Sequence, residues 1–268
     1  MPEGNVIHNQ ARRLRRLFKG RAVSVDSPQG RFAADAALVD GHVVTTIEAH
    51  GKHLFIGFDN GLWIHVHLGL FGKWRIARGE RPEPRGELRM RIWDDEGYAE
   101  LRGPTRCVVI DQPAKKSAVS RIGPDPIRKS DPEPAWARVQ RSNAPIGSLL
   151  MNQQVFAGVG NIYRAEVLFR HNMSPFRPGN QVSRAEFDGM WEDLVLLMSA
   201  GTKRGRIDTV RPEHMPEVMG RAKREDRHGG EVYVYRRDGR ECYLCGSVIE
   251  MADMQGRKLY WCPGCQPG

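Results

Sequence analysis

Four of the five cysteines, Cys242, Cys245, Cys262 and Cys265, fall close to the C-terminal end in the spacing C-x2-C-x16-C-x2-C. Two CxxC pairs joined by a short loop suit a four-thiolate zinc site: each turn sets two thiolates on one side, and a hairpin brings the pairs together. Four protein ligands leave no position for a reactive water, so the expected zinc ion, one per chain, is structural. Gly246 and Gly264 stand where such turns are expected to need positive φ. The N-terminus MPEGNVIHNQ has no apolar stretch of a secretory leader, which leaves a disulfide framework without its usual compartment. Cys107 reads as a small apolar core residue.

Two other places could do chemistry. Removal of Met1 would leave Pro2 as a secondary amine, a nucleophile whose ordinary α-amino pKa is near ~8, beside Glu3 as a proton carrier. The plain alternative is a proline in the first turn of a helix. In FAGVGNIYRAE, residues 156–166, Ala157, Gly158 and Gly160 precede Asn161 at a helix start. Such a turn lets backbone N–H groups approach a phosphate, although an ordinary helix connector looks the same.

These groups need elements to hold them. The chain has 268 residues, enough for about two domains. Lys plus Arg number 41 against 32 Asp plus Glu, a net charge of +9, which points to a polyanionic partner or simply to solubility. No apolar stretch approaches the ~20 residues of a membrane span. Residues 3–19 carry apolar residues at helical period, Ile7, Ala11, Leu14, Leu17 and Phe18, and Gly20 stops them. The opposite face, Arg12, Arg13, Arg15, Arg16 and Lys19 with Arg21 beyond, is either solvated or phosphate-facing. Residues 22–111 read as short strands of an antiparallel sandwich or barrel, with a hairpin turn at 59–61, DNG. The Pro-rich, charged segment 112–134 reads as a linker. Four helices are expected in 135–201, a mobile basic loop over 201–230, and the zinc ribbon from 228.

MPEG at the start, GKHLF among the strands, RIGPDPI in the linker, GVGNIYRAE between helices, YRRDGRECYLCG opening the ribbon and RKLYWCPGCQ closing it occur in one order. In that order the chain resembles the formamidopyrimidine-DNA glycosylase/endonuclease VIII family of base-excision repair enzymes. PEG, LFGKWR and RKLYWCPGCQ lean toward endonuclease VIII. The resemblance implies an α+β chain: a β-sandwich with leading helix (1–118), a helix–two-turn–helix domain with the basic loop (119–227) and a zinc ribbon (228–268). Damaged DNA would be the partner, in a basic cleft between domains, with no membrane, for a monomer in a bacterial cytoplasm.

Residue by residue, the resemblance makes Pro2 the nucleophile at C1′ of the damaged nucleoside and Glu3 the acid that protonates the sugar ring oxygen. Lys52, in the GK pair of a hairpin, would hold a phosphate and assist proton transfer. Asn161 and Arg257 would clamp phosphates around the flipped nucleotide. The zinc then serves to aim Arg257. Leu70 and Phe71, in LGLFG, are wedge candidates that would enter the stack, or else core residues.

The implied reaction is excision of oxidised bases, pyrimidines first, through a Schiff base and β,δ-elimination. Oxidised purines, and damage binding without catalysis, are the alternatives. The sequence departs from the family where Val6 replaces a second Glu, where Met151-Asn152-Gln153 replaces LDQ, and where Gly69 opens the wedge loop in place of a polar residue.

Overall fold

The computed structural model describes residues 2–225 and 230–268, in two compact units, Met1–Arg121 and Ile122–Gly268. The first unit opens with α1 (Gly4–Phe18), whose Ile7, Ala11, Leu14, Leu17 and Phe18 are buried. Their spacing of three and four makes one apolar stripe. It packs against β2 (Val44–His50), β3 (His53–Phe58) and β5 (Lys73–Arg78). The basic face is partly used to tie the helix down. Arg13 Nη2 donates to the Ile76 carbonyl at 2.7 Å, Arg15 Nε to that of Ile47 at 3.0 Å, and Arg21 pairs with Asp94 at 2.5 Å.

Two four-stranded sheets follow. One has the order β2-β3-β4-β8, with β4 (Trp63–His67) and β8 (Arg106–Ile110). The other has the order β1-β6-β7-β5, with β1 (Ser24–Asp26), β6 (Leu88–Trp93) and β7 (Gly97–Arg102). Every pairing is antiparallel. Ile47, Ala49, Leu54, Ile56, Ile64 and Val66 of the first sheet share one core with Met90, Ile92, Ala99 and Leu101 of the second. Side chains alternate along a strand, so Glu48, His50, His53, His65 and His67 lie together on the outer face of the first sheet. The DNG turn forms as expected: Phe58 N–H reaches the Leu62 carbonyl at 3.0 Å around a three-residue loop, with Gly61 at φ 80°. Between β1 and β2 lies the short α2 (Ala33–Ala37).

The segment expected to be a linker is not one throughout. Asp111 accepts from Ala114 N–H at 2.8 Å and caps α3 (Gln112–Ser120), whose proline sits in the first turn. Asp125 caps a single 3-10 turn at Pro126–Arg128, and Pro134 lies in the first turn of α4 (Glu133–Val139). Proline has no N–H to lose at a helix start, so a proline-rich composition here marks helix beginnings.

The second unit continues with α5 (Ile146–Met151), α6 (Asn161–Arg170) and α7 (Arg184–Arg204). α5 stops earlier than its apolar pattern suggested, because Asn152 turns extended and its side chain accepts from Gln154 N–H at 3.0 Å. The expected mobile loop 201–230 is also more ordered than its composition indicated. α7 runs on to Arg204 and ends on Gly205 at φ 77°, and α8 (Pro216–Met219) follows. Residues 226–229 of that loop lie outside the described residues.

The ribbon hairpin is β9 (Glu250–Met254) and β10 (Arg257–Trp261). Tyr233, Val234, Cys242, Ile249, Tyr260 and Cys262 share a core with the helices. Among the described residues no helix is long and apolar enough to cross a membrane.

Candidate functional site

The four cysteines meet as the spacing requires. Their Sγ atoms all lie within 4.8 Å of one another, with Cys242 to Cys265 at 3.8 Å and Cys245 to Cys262 at 3.3 Å. The edge of a tetrahedron with Zn–S of about 2.3 Å is about 3.8 Å, so the four sulfurs fit a thiolate-bound metal ion. Backbone N–H groups of Leu244 and Cys265 point at Cys242 and Cys262 sulfur, each at 3.4 Å. Gly246 has φ 74°, as expected. Gly264 does not adopt positive φ: it is required because a Cβ there would meet Ser247 Oγ at 2.4 Å and Cys245 Sγ at 2.9 Å. Cys107 lies apart, buried beside Met90 sulfur at 3.9 Å, where loss of solvation pushes its thiol up to about 12.

Two guanidinium groups lie over the ring of Tyr243, inside the first CxxC turn: Arg221 at 3.7 Å and Arg237 at 3.4 Å from the centroid. Two guanidinium groups that close need opposite faces of one ring. Arg221 follows α8 and also pairs with Glu231 at 2.8 Å, so the thiolate turn and the basic loop share an aromatic anchor.

Arg257 opens β10 directly after Gln255 and Gly256, whose φ values are 53° and 68°. Positive φ at both central residues is the two-residue turn that matches strand twist, and it sets Arg257 at the hairpin tip. Asn161, first residue of α6, donates from Nδ2 to the Lys258 carbonyl at 2.8 Å, and Arg164 Nη2 donates to the same carbonyl at 3.1 Å. The Gly-rich turn before Asn161 is cemented by Gln153. Its Nε2 reaches the Val159 carbonyl at 2.9 Å, and its Oε1 accepts from Gly158 N–H at 3.0 Å. Glu166, fully buried, accepts from the N–H groups of Tyr233 at 2.7 Å and of Val234 and Tyr235 at 2.9 Å each, and from Thr209 Oγ1 at 2.5 Å. These second-unit roles were not read from the sequence; the amide and carboxylate in QQ and RAE carry no signal until their backbone partners are in place.

In the first unit Pro2 is half-buried and Glu3 is buried at 1% exposure, at the position preceding α1. The Glu3 carbonyl accepts the first helical bond, from Val6 N–H at 3.0 Å. Lys52 occupies the two-residue turn Gly51-Lys52 between paired His50 and His53. Gly51 at φ 56° supplies the first position such a turn needs.

Beyond that turn the outer face of the sheet carries a histidine cluster that went unread. His53 Nδ1 lies 2.9 Å from His65 Nε2, and the ring of His67 lies 4.8 Å from that of His53. Burial holds His53 down to about 4 and His65 to about 3, helped by nearby cations. Alternation in WIHVH was the available signal.

Leu70 and Phe71 are exposed, 44% and 85%, in the loop between β4 and β5; their core reading is excluded. Gly69 has φ 66°, and a Cβ there would lie 2.2 Å from Thr105 Cγ2. A side chain at that position would therefore have to displace Thr105 and hold a left-handed backbone.

The comparisons with known proteins agree with this layout. The model of the formamidopyrimidine-DNA glycosylase N-terminal domain matches residues 1–106, and that of its H2TH domain matches residues 122–211. The chain is 48% identical over 274 residues to Endonuclease 8 1 of Mycobacterium tuberculosis, covering 99% of this chain and all of the relative. It is 30% identical over 281 residues to Endonuclease 8 of Escherichia coli, again over 99% and 100%. In fold it is similar to a Lactococcus lactis Fpg mutant in complex with Fapy-dG-containing DNA (TM-score 0.80, 21% identity, all of both chains). It is also similar to MutM (Fpg) of Thermus thermophilus (TM-score 0.77, 24% identity, 99% and 98% covered). The chain belongs to the formamidopyrimidine-DNA glycosylase/endonuclease VIII family, DNA glycosylases with abasic-site lyase activity.

Proposed function

We propose that the protein excises oxidised bases from DNA, pyrimidines in preference to purines, and then cuts the strand through a Schiff base on Pro2. The observation that carries this reading is the buried Glu3 carboxylate next to Pro2, a placement that costs solvation and serves proton transfer. The preference for pyrimidines rests on the full-length similarity to proteins named Endonuclease 8.

The secondary amine attacks C1′, and the glycosidic electron pair leaves with the base. Glu3 protonates the ring oxygen, the sugar opens, and the nitrogen lone pair forms an iminium. The iminium acidifies the C2′ proton, so the 3′ phosphate leaves by β-elimination and the 5′ phosphate by δ-elimination. The amine must be free, which requires loss of Met1, a residue outside those described. Lys52, Asn161 and Arg257 hold phosphates, and Leu70 and Phe71 fill the stack vacated by the flipped nucleotide. The metal of the thiolate site is zinc. It closes the ribbon, while the chain's own hydrogen bonds to Lys258 fix the hairpin that presents Arg257.

The test is incision of oligonucleotides carrying oxidised pyrimidines, oxidised purines or abasic sites, with borohydride trapping. A covalent protein–DNA adduct at Pro2 and faster release of oxidised pyrimidines are expected. Tight binding without cutting would establish a damage-binding protein instead.

A further inference from the structure

His53 and His65 are joined side chain to side chain, and the geometry determines which nitrogen holds each proton. His65 is 3% exposed, and its Nδ1 is buried with no hydrogen-bond partner. If His53 were the donor, His65 would bury an unpaired N–H. If His65 donates from Nε2, it buries only an unpaired lone pair, and orphaned donors are the rarer and costlier case. His65 Nε2–H therefore donates to His53 Nδ1. A neutral His53 must then carry its own proton on Nε2.

That Nε2–H makes no hydrogen bond among the described residues, and unlike His65 Nδ1 it is not sealed from solvent. The neighbouring His67 is fixed the same way: Gly69 N–H donates to His67 Nδ1 at 3.2 Å, leaving the proton on Nε2. Phe55, fully buried, lies stacked on His65 with ring centroids 4.4 Å apart and holds the pair against the sheet.

The charged groups that act most strongly on His53 are all basic: His67 from β4, Arg106 from β8, His50 from β2 and Lys52 from the turn. Glu48, on the same face, is engaged with His50 at 3.1 Å and with Lys115. A neutral donor set among cations, next to a lysine at a hairpin tip, is a cradle for an anion.

We propose that His53 donates its Nε2–H to a DNA backbone phosphate beside Lys52, and that His65 is the positioning residue that fixes the tautomer. This rests on the reading of the protein as a DNA-processing enzyme, and adds a phosphate contact made without charge. A neutral N–H neutralises no phosphate, so it strengthens binding without releasing a counterion.

The experiment is a salt titration of binding to a duplex carrying a tetrahydrofuran abasic-site analogue, read by fluorescence anisotropy on the full chain. His53→Ala should weaken binding about three- to tenfold, in the range of one hydrogen bond to a charged group, with the log–log salt slope unchanged between pH 6.5 and 8. Lys52→Ala, in contrast, should lower that slope by about one. His53→Gln, which keeps a donor, should recover most of the loss.

His65→Phe keeps an aromatic ring on Phe55 and should weaken binding like His53→Ala. The ¹H–¹⁵N couplings of free wild-type protein should show His53 protonated at Nε2, and in His65→Phe a mixture of tautomers. Wild-type affinity in His53→Ala, a slope reduced as in Lys52→Ala, or an Nδ1–H tautomer of His53 would overturn the proposal. Absence of binding by the wild-type protein would instead overturn the DNA-processing reading on which it rests.

Discussion

Asn161 and Lys258 stand 97 residues apart in sequence, yet the side-chain amide of one donates to the backbone carbonyl of the other at 2.8 Å. The start of α6 thereby holds the strand that begins with Arg257. Asn161 Nδ2 retains a second hydrogen for a phosphate, so one side chain can both brace the hairpin and meet DNA. Asn161→Ala should weaken binding to damaged and undamaged duplex alike by about tenfold, through both losses. Arg164→Met removes a second donor to Lys258 together with its bond to Asn161 Oδ1, yet leaves the Asn161 amide to meet phosphate, and should cost less. Equal affinity of Asn161→Ala and wild type in an anisotropy titration would contradict this arrangement.

Glu3→Gln keeps the shape of the buried side chain but cannot cycle a proton. Base excision should fall by about 10²-fold or more, with duplex affinity within severalfold. Cleavage at preformed abasic sites should survive in part, since no base has to leave. Single-turnover rates on the two substrates measure the difference. Borohydride should trap Pro2→Gly much less than wild type, and active wild-type protein should have the mass of a chain lacking Met1.

Cys262→Ser should lose the metal and the hairpin order that depends on it, whereas Cys107→Ser should be nearly silent. Tyr243→Ala is the more informative change. It leaves all four thiolates, so metal content should stay at one per chain. The two guanidinium groups lose the ring that lies between them. Trypsin should then cut faster at Lys223 and Arg224 than in wild type, with Tyr243→Phe cut at the wild-type rate.

Gly69→Ala places a methyl 2.2 Å from Thr105 Cγ2 and forces a non-glycine residue to φ 66°. The cost should be about 1–3 kcal/mol, and excision should fall because Leu70 and Phe71 are displaced. Thr105→Ser removes the clashing methyl while keeping Oγ1 for His67, its partner at 2.9 Å. The double variant should therefore recover part of the loss, and a double-mutant cycle on unfolding free energies measures it.

Burial lowers His65 to about 3 and His53 to about 4 in the folded chain, against an ordinary imidazole at 6.5. Below pH 6.5 the unfolded chain binds protons that the folded chain refuses, so stability is complete above that pH and lost as pH falls toward 4. The buried His65 alone contributes a slope of up to about 1.4 kcal/mol per pH unit. Urea midpoints measured from pH 7 to 4.5 should decline less steeply for His65→Phe. A parallel decline would remove the buried neutral imidazole as the cause.

Features that are local or set by spacing were legible in the chain. The thiolate quartet, α1, the strand alternation, the DNG turn and the start of α6 all depend on intervals of two, three or four residues, which the chain displays directly. It also carried the order of motifs by which the family is recognised. Which polar groups meet across long separations became visible only in the folded chain: His53 with His65, Asn161 with Lys258, Glu166 with Tyr233 to Tyr235, and Tyr243 with Arg221. A histidine or amide in a strand or helix is compatible with solvent or with burial, and its role appears only when the backbone donors and acceptors around it are fixed. The same holds for Gly264, whose need is set by Ser247 and Cys245 packed against it, and for Pro113 and Pro126, which begin helical turns because Asp111 and Asp125 cap them.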